Sequence, residues 1–289
     1  MSMSSAKTPS QFADARVWLA PAKINRFLHI TGRRADGYHL LQTLFQFIDL
    51  CDELRFAPRA DGVIRRIGGD RRLPEDDLCV RAGRRLQAAA GISLGADIYL
   101  TKRIPMGGGL GGGSSDAATT LVALNALWGC GLGESELCAL GLELGADVPV
   151  FVFGRAAWAE GVGESLTEVA PDEPWMLLID PSCHVDTGLV FSAPELTRDC
   201  QSITMPGFLA GRVSNVCEDV VRARYPAVDA ALDWLVAHGS DGRMTGTGAC
   251  VFAAVEDRVA AEALCRQVPD EWSGYVVKAK NRSPLFDTM

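Results

Sequence analysis

Six of the seven residues from 107 to 113 are glycine, in the stretch Pro105-Met106-Gly107-Gly108-Gly109-Leu110-Gly111-Gly112-Gly113-Ser114-Ser115-Asp116-Ala117-Ala118. A glycine inside a helix or strand costs about 0.5–1 kcal/mol relative to alanine, so a regular element is not expected to run through it. A chain keeps such a run where its backbone must approach something closely. Two hydroxyls follow, and then a helix-forming stretch from Ala117 to Trp128. A glycine loop opening onto a helix offers free N–H groups and the positive end of the helix dipole, which together suit a polyphosphate. A flexible linker would not lead at once into an apolar helix. Nucleotide use is the first expectation.

Three nucleotide-binding patterns compete for this loop. Gly108 and Gly113 have the spacing of a Walker-type loop, but Ser114 stands where that loop needs its lysine. Gly107, Gly109 and Gly112 match the dinucleotide fingerprint, which also demands an acidic residue about 20 positions on. No acidic residue lies between Asp116 and Glu134. The third pattern, Pro-x-x-x-Gly-Leu-(Gly)-x-Ser-Ser, is met by Pro105, Gly109, Leu110, Ser114 and Ser115. In it the loop resembles the phosphate loop of the GHMP kinases, with an added glycine that leaves open which serine faces the phosphates.

The remaining features narrow the class. A net charge of −8 gives no electrostatic reason to expect nucleic acid. It also draws attention to lysines set where an anion could bind. The nine cysteines are scattered without a C-x-x-C pair, and the four histidines make no zinc motif. That usage suits a reducing compartment. No apolar run reaches the ~20 residues of a membrane span. The Ser-rich start lacks the apolar segment of a signal peptide. A cytoplasmic protein with a disordered tail over 1–14 and no membrane partner is expected, as a monomer or weak homodimer.

Strand and helix signals interleave along the whole chain, an α+β pattern. Strands are expected at Val17–Leu19, Asn25–Thr31, Leu40–Ile48, Glu53–Ala57 and Asp97–Thr101. Helices are expected at Asp77–Ala90 and Glu134–Leu144, and strands at Phe151–Phe153 and Ala156–Ala159. Pro171-Asp172-Glu173-Pro174 marks a boundary, giving domains at 15–170 and 171–289. Beyond it, strands are expected at Trp175–Ile179, Gly242–Thr245, Cys250–Val255 and Tyr275–Ala279. Helices alternate with them at Val216–Ala223, Val228–His238 and Val259–Val268.

Three segments extend the resemblance to the GHMP kinases over most of the chain. They are Ala20-Pro-Ala-Lys-Ile-Asn25 with Thr31–His39, the glycine loop with Gly145-Ala-Asp-Val-Pro-Val150, and Met244–Phe252 around Gly246-Thr247-Gly248. The resemblance implies an N-terminal ATP-binding domain of the ribosomal-protein-S5-like fold and a C-terminal ferredoxin-like α/β substrate domain. It implies an ATP-dependent kinase acting on a small-molecule alcohol, with Mg2+ as helper and no metal ligands nameable. The loop from Pro105 to Ser115, including Met106, would hold ATP. Without Cβ atoms, Gly109 and Gly112 would leave room for phosphates. The Ala-Asp-Gly-Tyr-His stretch at 35–39 is similar to the branch whose acceptor carries a cytidine diphosphate, in non-mevalonate isoprenoid synthesis.

The same resemblance assigns roles. Asp147 would be the base that takes the hydroxyl proton, although alone it fits an Asx-turn as well. Lys23 would hold Asp147 ionised and offset charge on the transferred group. Asn25 lies on the same side of its strand and would bond the substrate or the aspartate. Tyr38 and Phe191 would sandwich the pyrimidine, with His39 reading its edge. Gly246, Thr247 and Gly248 would bring backbone to the substrate. His29 and His184 read as structural. Another GHMP-type kinase and a non-catalytic ligand sensor of the same fold stay open as alternatives.

Overall fold

The computed structural model describes residues 9–35, 37–68, 73–211 and 213–287. Two long strands organise it, β1 (Trp18–Arg33) and β2 (His39–Arg59), antiparallel from Trp18↔Leu54 to Arg33↔His39. Each merges two expected strands. Register shifts after Pro21, Asn25 and Ile30 let β1 run on through its irregularities, as β-bulges allow. On one side of β2 follow β4 (Gly95–Thr101) and the short β3 (Ile64–Arg66). The strand β5 (Ala157–Glu160) joins β2 elsewhere along its length, and β6 (Ser165–Glu168) pairs with β5.

The sheet continues into the C-terminal half. β10 (Ser273–Lys280) pairs with β2 at Ala279↔Ile48 and with β7 (Trp175–Asp180), which leads on to β9 (Val251–Val255) and β8 (Arg243–Met244). Among the described residues these ten strands form one sheet.

Helices α1 (Leu78–Ala90), α2 (Gly112–Trp128), α3 (Glu134–Leu144) and α4 (Val148–Phe153) bury apolar faces with β2 and β4 in one core. The local signals are clear at α1, where the Asp77 side chain accepts from Val80 N and Gly91 closes the helix at φ +64°. A second core unites β7 and β9 with α5 (Thr187–Ser192), α7 (Glu218–Arg224) and α8 (Pro226–Ala237), and takes in Leu28 and Ile30 of β1. Helices α6 (Met205–Leu209) and α9 (Arg258–Cys265) complete the order. After β10 the chain returns, and Leu285 packs into the first core.

Three expectations change. The strand expected at Phe151–Phe153 is the helix α4, all of whose residues from Val148 to Val152 are buried. An apolar run buried on every side has no periodicity to separate helix from strand, and Pro149 suits a helix start. Helix α2 begins five residues early, taking Gly112 and Gly113 into its first turn. The expected tail over 1–14 has structure in its described part: Ser10–Phe12 form a 3-10 turn, and Phe12 is fully buried against Tyr99. Residues 1–8 lie outside the described residues.

Candidate active site

The glycine loop crosses from β4 to α2. Gly111 caps the helix at φ +70°, and Ser115 N donates to Gly111 O at 2.9 Å as its first bond. Both ends of the loop are pinned from below. Fully buried Asp52 accepts from Arg103 N at 2.5 Å and Ile104 N at 2.9 Å, where the chain leaves β4. Lys102 Nζ donates to the Asp52 carboxylate and, at 2.8 Å, to Asp116, the fifth residue of α2. Burial pushes the Asp116 carboxyl up to about 8, Lys102 pulling it down and Asp52 raising it. Of the two hydroxyls, Ser114 lines the cleft, whereas Ser115 is fully buried on the inner side of α2. Leu110 turns into the core, and Met106 is exposed.

The glycines of the loop also make close contacts within the chain. A Cβ on Gly109 would lie 2.3 Å from Thr245 O and one on Gly108 2.4 Å from Cys250 Sγ. These glycines are bare because the Gly246-Thr247-Gly248 turn packs on them, and Cys250 N donates to Gly108 O at 3.1 Å. A Cβ on Gly111 would meet the Phe151 ring at 2.9 Å, and one on Gly107 would meet His184 Nδ1 at 2.9 Å. At Gly112 the neighbours are Ile104 and Lys102. Gly246 and Thr247 also line the cleft, Thr247 Oγ1 lying 2.8 Å from Thr187 Oγ1, while Gly248 faces Met244.

Lys23 lies where these parts meet. Its ammonium donates to Asn25 Oδ1 at 2.7 Å and Gly109 O at 3.1 Å, and lies 3.5 Å from Asp147 Oδ2. The Lys23 side chain is 4% exposed and that of Asp147 37%. Asp147 stands at the start of α4 but makes no capping bond, so its carboxylate is available to the cleft. The Asn25 side chain bonds Lys23 and Thr43. Its Nδ2 donates to Thr43 Oγ1 at 2.9 Å, which turns Oδ1 to Lys23. Its backbone N–H donates to Thr245 Oγ1 at 2.9 Å.

The cleft around Lys23, Ser114 and Asp147 has a volume of about 340 Å³. Leu41, Ala146, Val162 and Phe191 connect it to a wider cavity of about 580 Å³ lined by Arg33, Tyr38, His39 and Ser192. Volumes of this order suit small-molecule sites. At the far end His39 stacks on Phe191, ring centroids 5.1 Å apart at 22°. Tyr38 is 65% exposed beside them. The structure thus brings His39, rather than Tyr38, against the Phe191 face. Burial, then Arg198 and Arg33, lowers the His39 pKa. Thr43, Asn215, Thr245, Thr187 and Arg198 buttress the cleft through bonds to the remote residues Asn25, Gly246, Thr247 and His39, for which the local sequence carries no signal.

Known proteins resolve what kind of kinase this is. Residues 77–155 match the N terminal domain of GHMP kinases and residues 205–274 the C terminal one. The 4-diphosphocytidyl-2-C-methyl-D-erythritol kinase of Nitrosococcus oceani is 56% identical over 274 residues, 94% of this chain and 98% of its own. That of Halorhodospira halophila is 54% identical over 280 residues, 94% and 96% of the two chains. The chain belongs to the 4-diphosphocytidyl-2-C-methyl-D-erythritol kinases, within the GHMP kinases. A crystal structure of a 4-(cytidine 5'-diphospho)-2C-methyl-D-erythritol kinase superposes with a TM-score of 0.79 at 33% identity, covering 91% of this chain and 99% of that one. The mevalonate kinase of Methanococcus jannaschii superposes with a TM-score of 0.70 at 14% identity, covering 93% and 99%. It shares the fold. The expected GHMP kinase fold, kinase activity and ATP as donor all stand with this membership. No helix among the described residues is long and apolar enough to cross a membrane.

Proposed function

We infer that this enzyme transfers the γ-phosphoryl group of ATP to the 2-hydroxyl of 4-diphosphocytidyl-2-C-methyl-D-erythritol. The products are ADP and the 2-phosphate, in the non-mevalonate isoprenoid pathway. The observation that carries the reading is the Lys23–Asp147 pair, 3.5 Å apart, under a glycine loop that opens onto a 17-residue helix. Asp147 accepts the proton of the acceptor hydroxyl as that oxygen attacks. Lys23, held by Asn25 and Gly109 O, lies beside the carboxylate and faces the charge that spreads over the transferred group. The α2 N-terminus and the backbone from Pro105 to Ser115 hold the donor's phosphates.

The cytidine end lies some way along the cleft, where Phe191 and Tyr38 offer ring faces and His39 an edge. In this reading His39 swings from, or shares, the Phe191 face as the base enters beside Tyr38. The 15–170 unit serves the donor and the 171–289 unit supplies Phe191 and the Gly246–Gly248 turn. Among the described residues no group of three or more His, Cys, Asp or Glu could hold a metal. Mg2+ takes few protein ligands and keeps phosphate and water. Ser114 and Asp147 are oxygen donors in this cleft that would hold it, and it would neutralise phosphate charge during transfer. The enzyme is read as cytoplasmic and as a monomer or weak homodimer, with no nucleic-acid partner.

The reading is tested by ADP release with the cytidine diphospho-alcohol against a panel of mevalonate, homoserine and galactose. Turnover confined to the cytidine compound supports it. Equal turnover of any other alcohol returns the acceptor to the wider family. Nucleotide binding without turnover of any alcohol would leave a ligand sensor.

A further inference from the structure

After β10 the chain runs back as a strap that ends in the 3-10 turn Pro284–Phe286. Its first residues pair with those just past α4. Ala156 N donates to Asn281 O at 2.7 Å, Arg155 and Arg282 form an antiparallel β-bridge, and Ser283 N donates to Gly154 O at 2.9 Å. Gly154 closes α4 at φ +68°. A Cβ there would collide with the Phe286 ring, so the ring rests on the helix end itself. Ser283 and Leu285 are fully buried, and Leu285 shares a core with Val148, Val150 and Phe151 of α4. The turn also lies against β1. None of residues 281–286 lines the cleft around Lys23 and Asp147.

We propose that Leu285 and Phe286 are positioning residues for phosphoryl transfer: the strap seats α4 against the sheet and so sets the separation of Asp147 from Lys23. This rests on the reading of that pair as the reacting groups. Helix α4 is six residues long, about 9 Å, with Asp147 before one end and Gly154 after the other. Asp147 makes no capping bond that would fix it locally, so its place follows from how the whole helix is seated. On the sheet side the strap leaves β10 at Lys280, which pairs with Phe47 of β2, and Phe47 pairs with Lys23. Gln46 Nε2 donates to Asn281 Oδ1 at 2.8 Å and holds that junction. One segment therefore runs from the sheet position beside Lys23 to the helix that carries Asp147. The Phe47 and Phe151 rings, 5.8 Å apart, pack between the two. A tilt of so short a helix at Gly154 is carried to Asp147, and a displacement of order 1 Å at a reacting centre can cost ~100-fold.

A double-mutant cycle on the full chain separates positioning from mere support. Wild type, Phe286→Ala, Asp147→Asn and the double variant are compared by kcat per folded molecule and by the dissociation constant for ATP. Phe286→Ala is expected to lower kcat by about 10–100-fold and to leave ATP affinity unchanged, because the glycine loop keeps its own contacts. In the Asp147→Asn background the same change should alter kcat by no more than about twofold, since the group it positions is already gone. Phe286→Leu, which keeps most of the apolar volume, should restore most of the loss. Where the alanine variant does not fold, Phe286→Leu goes through the same cycle, with a smaller factor and the same dependence on Asp147. A fall by the same factor in both backgrounds means that the strap only supports the fold, and overturns the proposal. So does a folded Phe286→Ala enzyme with wild-type kcat. An Asp147→Asn enzyme as fast as wild type removes the reading of the reacting pair, and the role of the strap with it. A slow Asp147→Asn enzyme beside an unaffected Phe286→Ala removes the strap alone.

Discussion

Gly109→Ala isolates the contact between the glycine loop and the Gly246–Gly248 turn. Gly109 has φ +75°, and the added Cβ would lie 2.3 Å from Thr245 O and 3.1 Å from Gly248 O. The left-handed conformation costs an L-residue roughly 1–2 kcal/mol. The first contact is roughly 1 Å short of an ordinary one, and backbone on both sides must move, which adds about 1–3 kcal/mol of overpacking. The expected loss of stability is therefore about 2–5 kcal/mol. Activity falls too, because Gly109 O accepts from Lys23 at 3.1 Å, and a displacement of order 1 Å at a reacting centre can cost ~100-fold. Gly113→Ala is the control from the same run. Its Cβ finds only Leu78 at 3.5 Å, an ordinary contact, in the first turn of α2, so a gain of about 0.4–1 kcal/mol is expected. Urea unfolding followed by circular dichroism, with kcat and KM for ATP on the same samples, reads both. If Gly109→Ala is as stable as wild type, or if the two alanines behave alike, the packing argument is wrong.

The buried cluster below the loop is tested by charge. Lys102→Met removes the ammonium that Asp52 and Asp116 share and should cost about 3–5 kcal/mol in urea unfolding, whereas Asp116→Asn keeps a partner for Lys102 and should fall within about 1 kcal/mol. His29 is buried at 7% exposure with its Nδ1 unpartnered, and burial lowers its pKa. The unfolded chain then binds the extra proton as pH falls below about 6.5, so this residue's contribution to stability is full above that pH and is lost toward the lower folded pKa. Wild type minus His29→Gln stability, measured between pH 5 and 8, should shrink on acidification; a flat difference contradicts the burial argument. Phe191→Ala should raise KM for the cytidine acceptor by about tenfold, from a stacking worth roughly 1–3 kcal/mol, and leave KM for ATP unchanged; steady-state titration of each substrate decides.

Where a residue and its partner are close in sequence, the structure was legible in advance. Asp77 before α1, and Gly133 and Gly145 around α3, mark helix ends that the structure keeps. Elements decided by tertiary burial were not legible. Pro21 and the register shifts of β1 look like strand breaks until β2 spans them, and α4 reads as a strand because every side of it is covered. Gly112 and Gly113 read as loop, yet Gly111 starts the helix before them. In the site, family resemblance supplied Lys23 and Asp147, but their separation is a product of β1 and α4 meeting in the fold. Ser114 and Ser115 are equivalent in sequence and separate only by helix phase. Thr245 and Arg198 bond partners 220 and 159 positions away, Asn25 and His39, distances over which composition and periodicity carry no signal.

The central claim is that Asp147 takes the proton as the cleft moves phosphoryl from ATP to the cytidine diphospho-alcohol. Its most direct test is the transfer step itself. Wild type and Asp147→Asn would be mixed with both substrates and the products followed by 31P NMR. Wild type should form ADP and a new phosphomonoester on the 2-hydroxyl in equal amounts. Asp147→Asn should bind ATP as wild type does and form both products about 10²–10⁴ times more slowly. A variant that retains most of the wild-type rate, or a wild type that releases ADP with no phosphomonoester, would contradict the account.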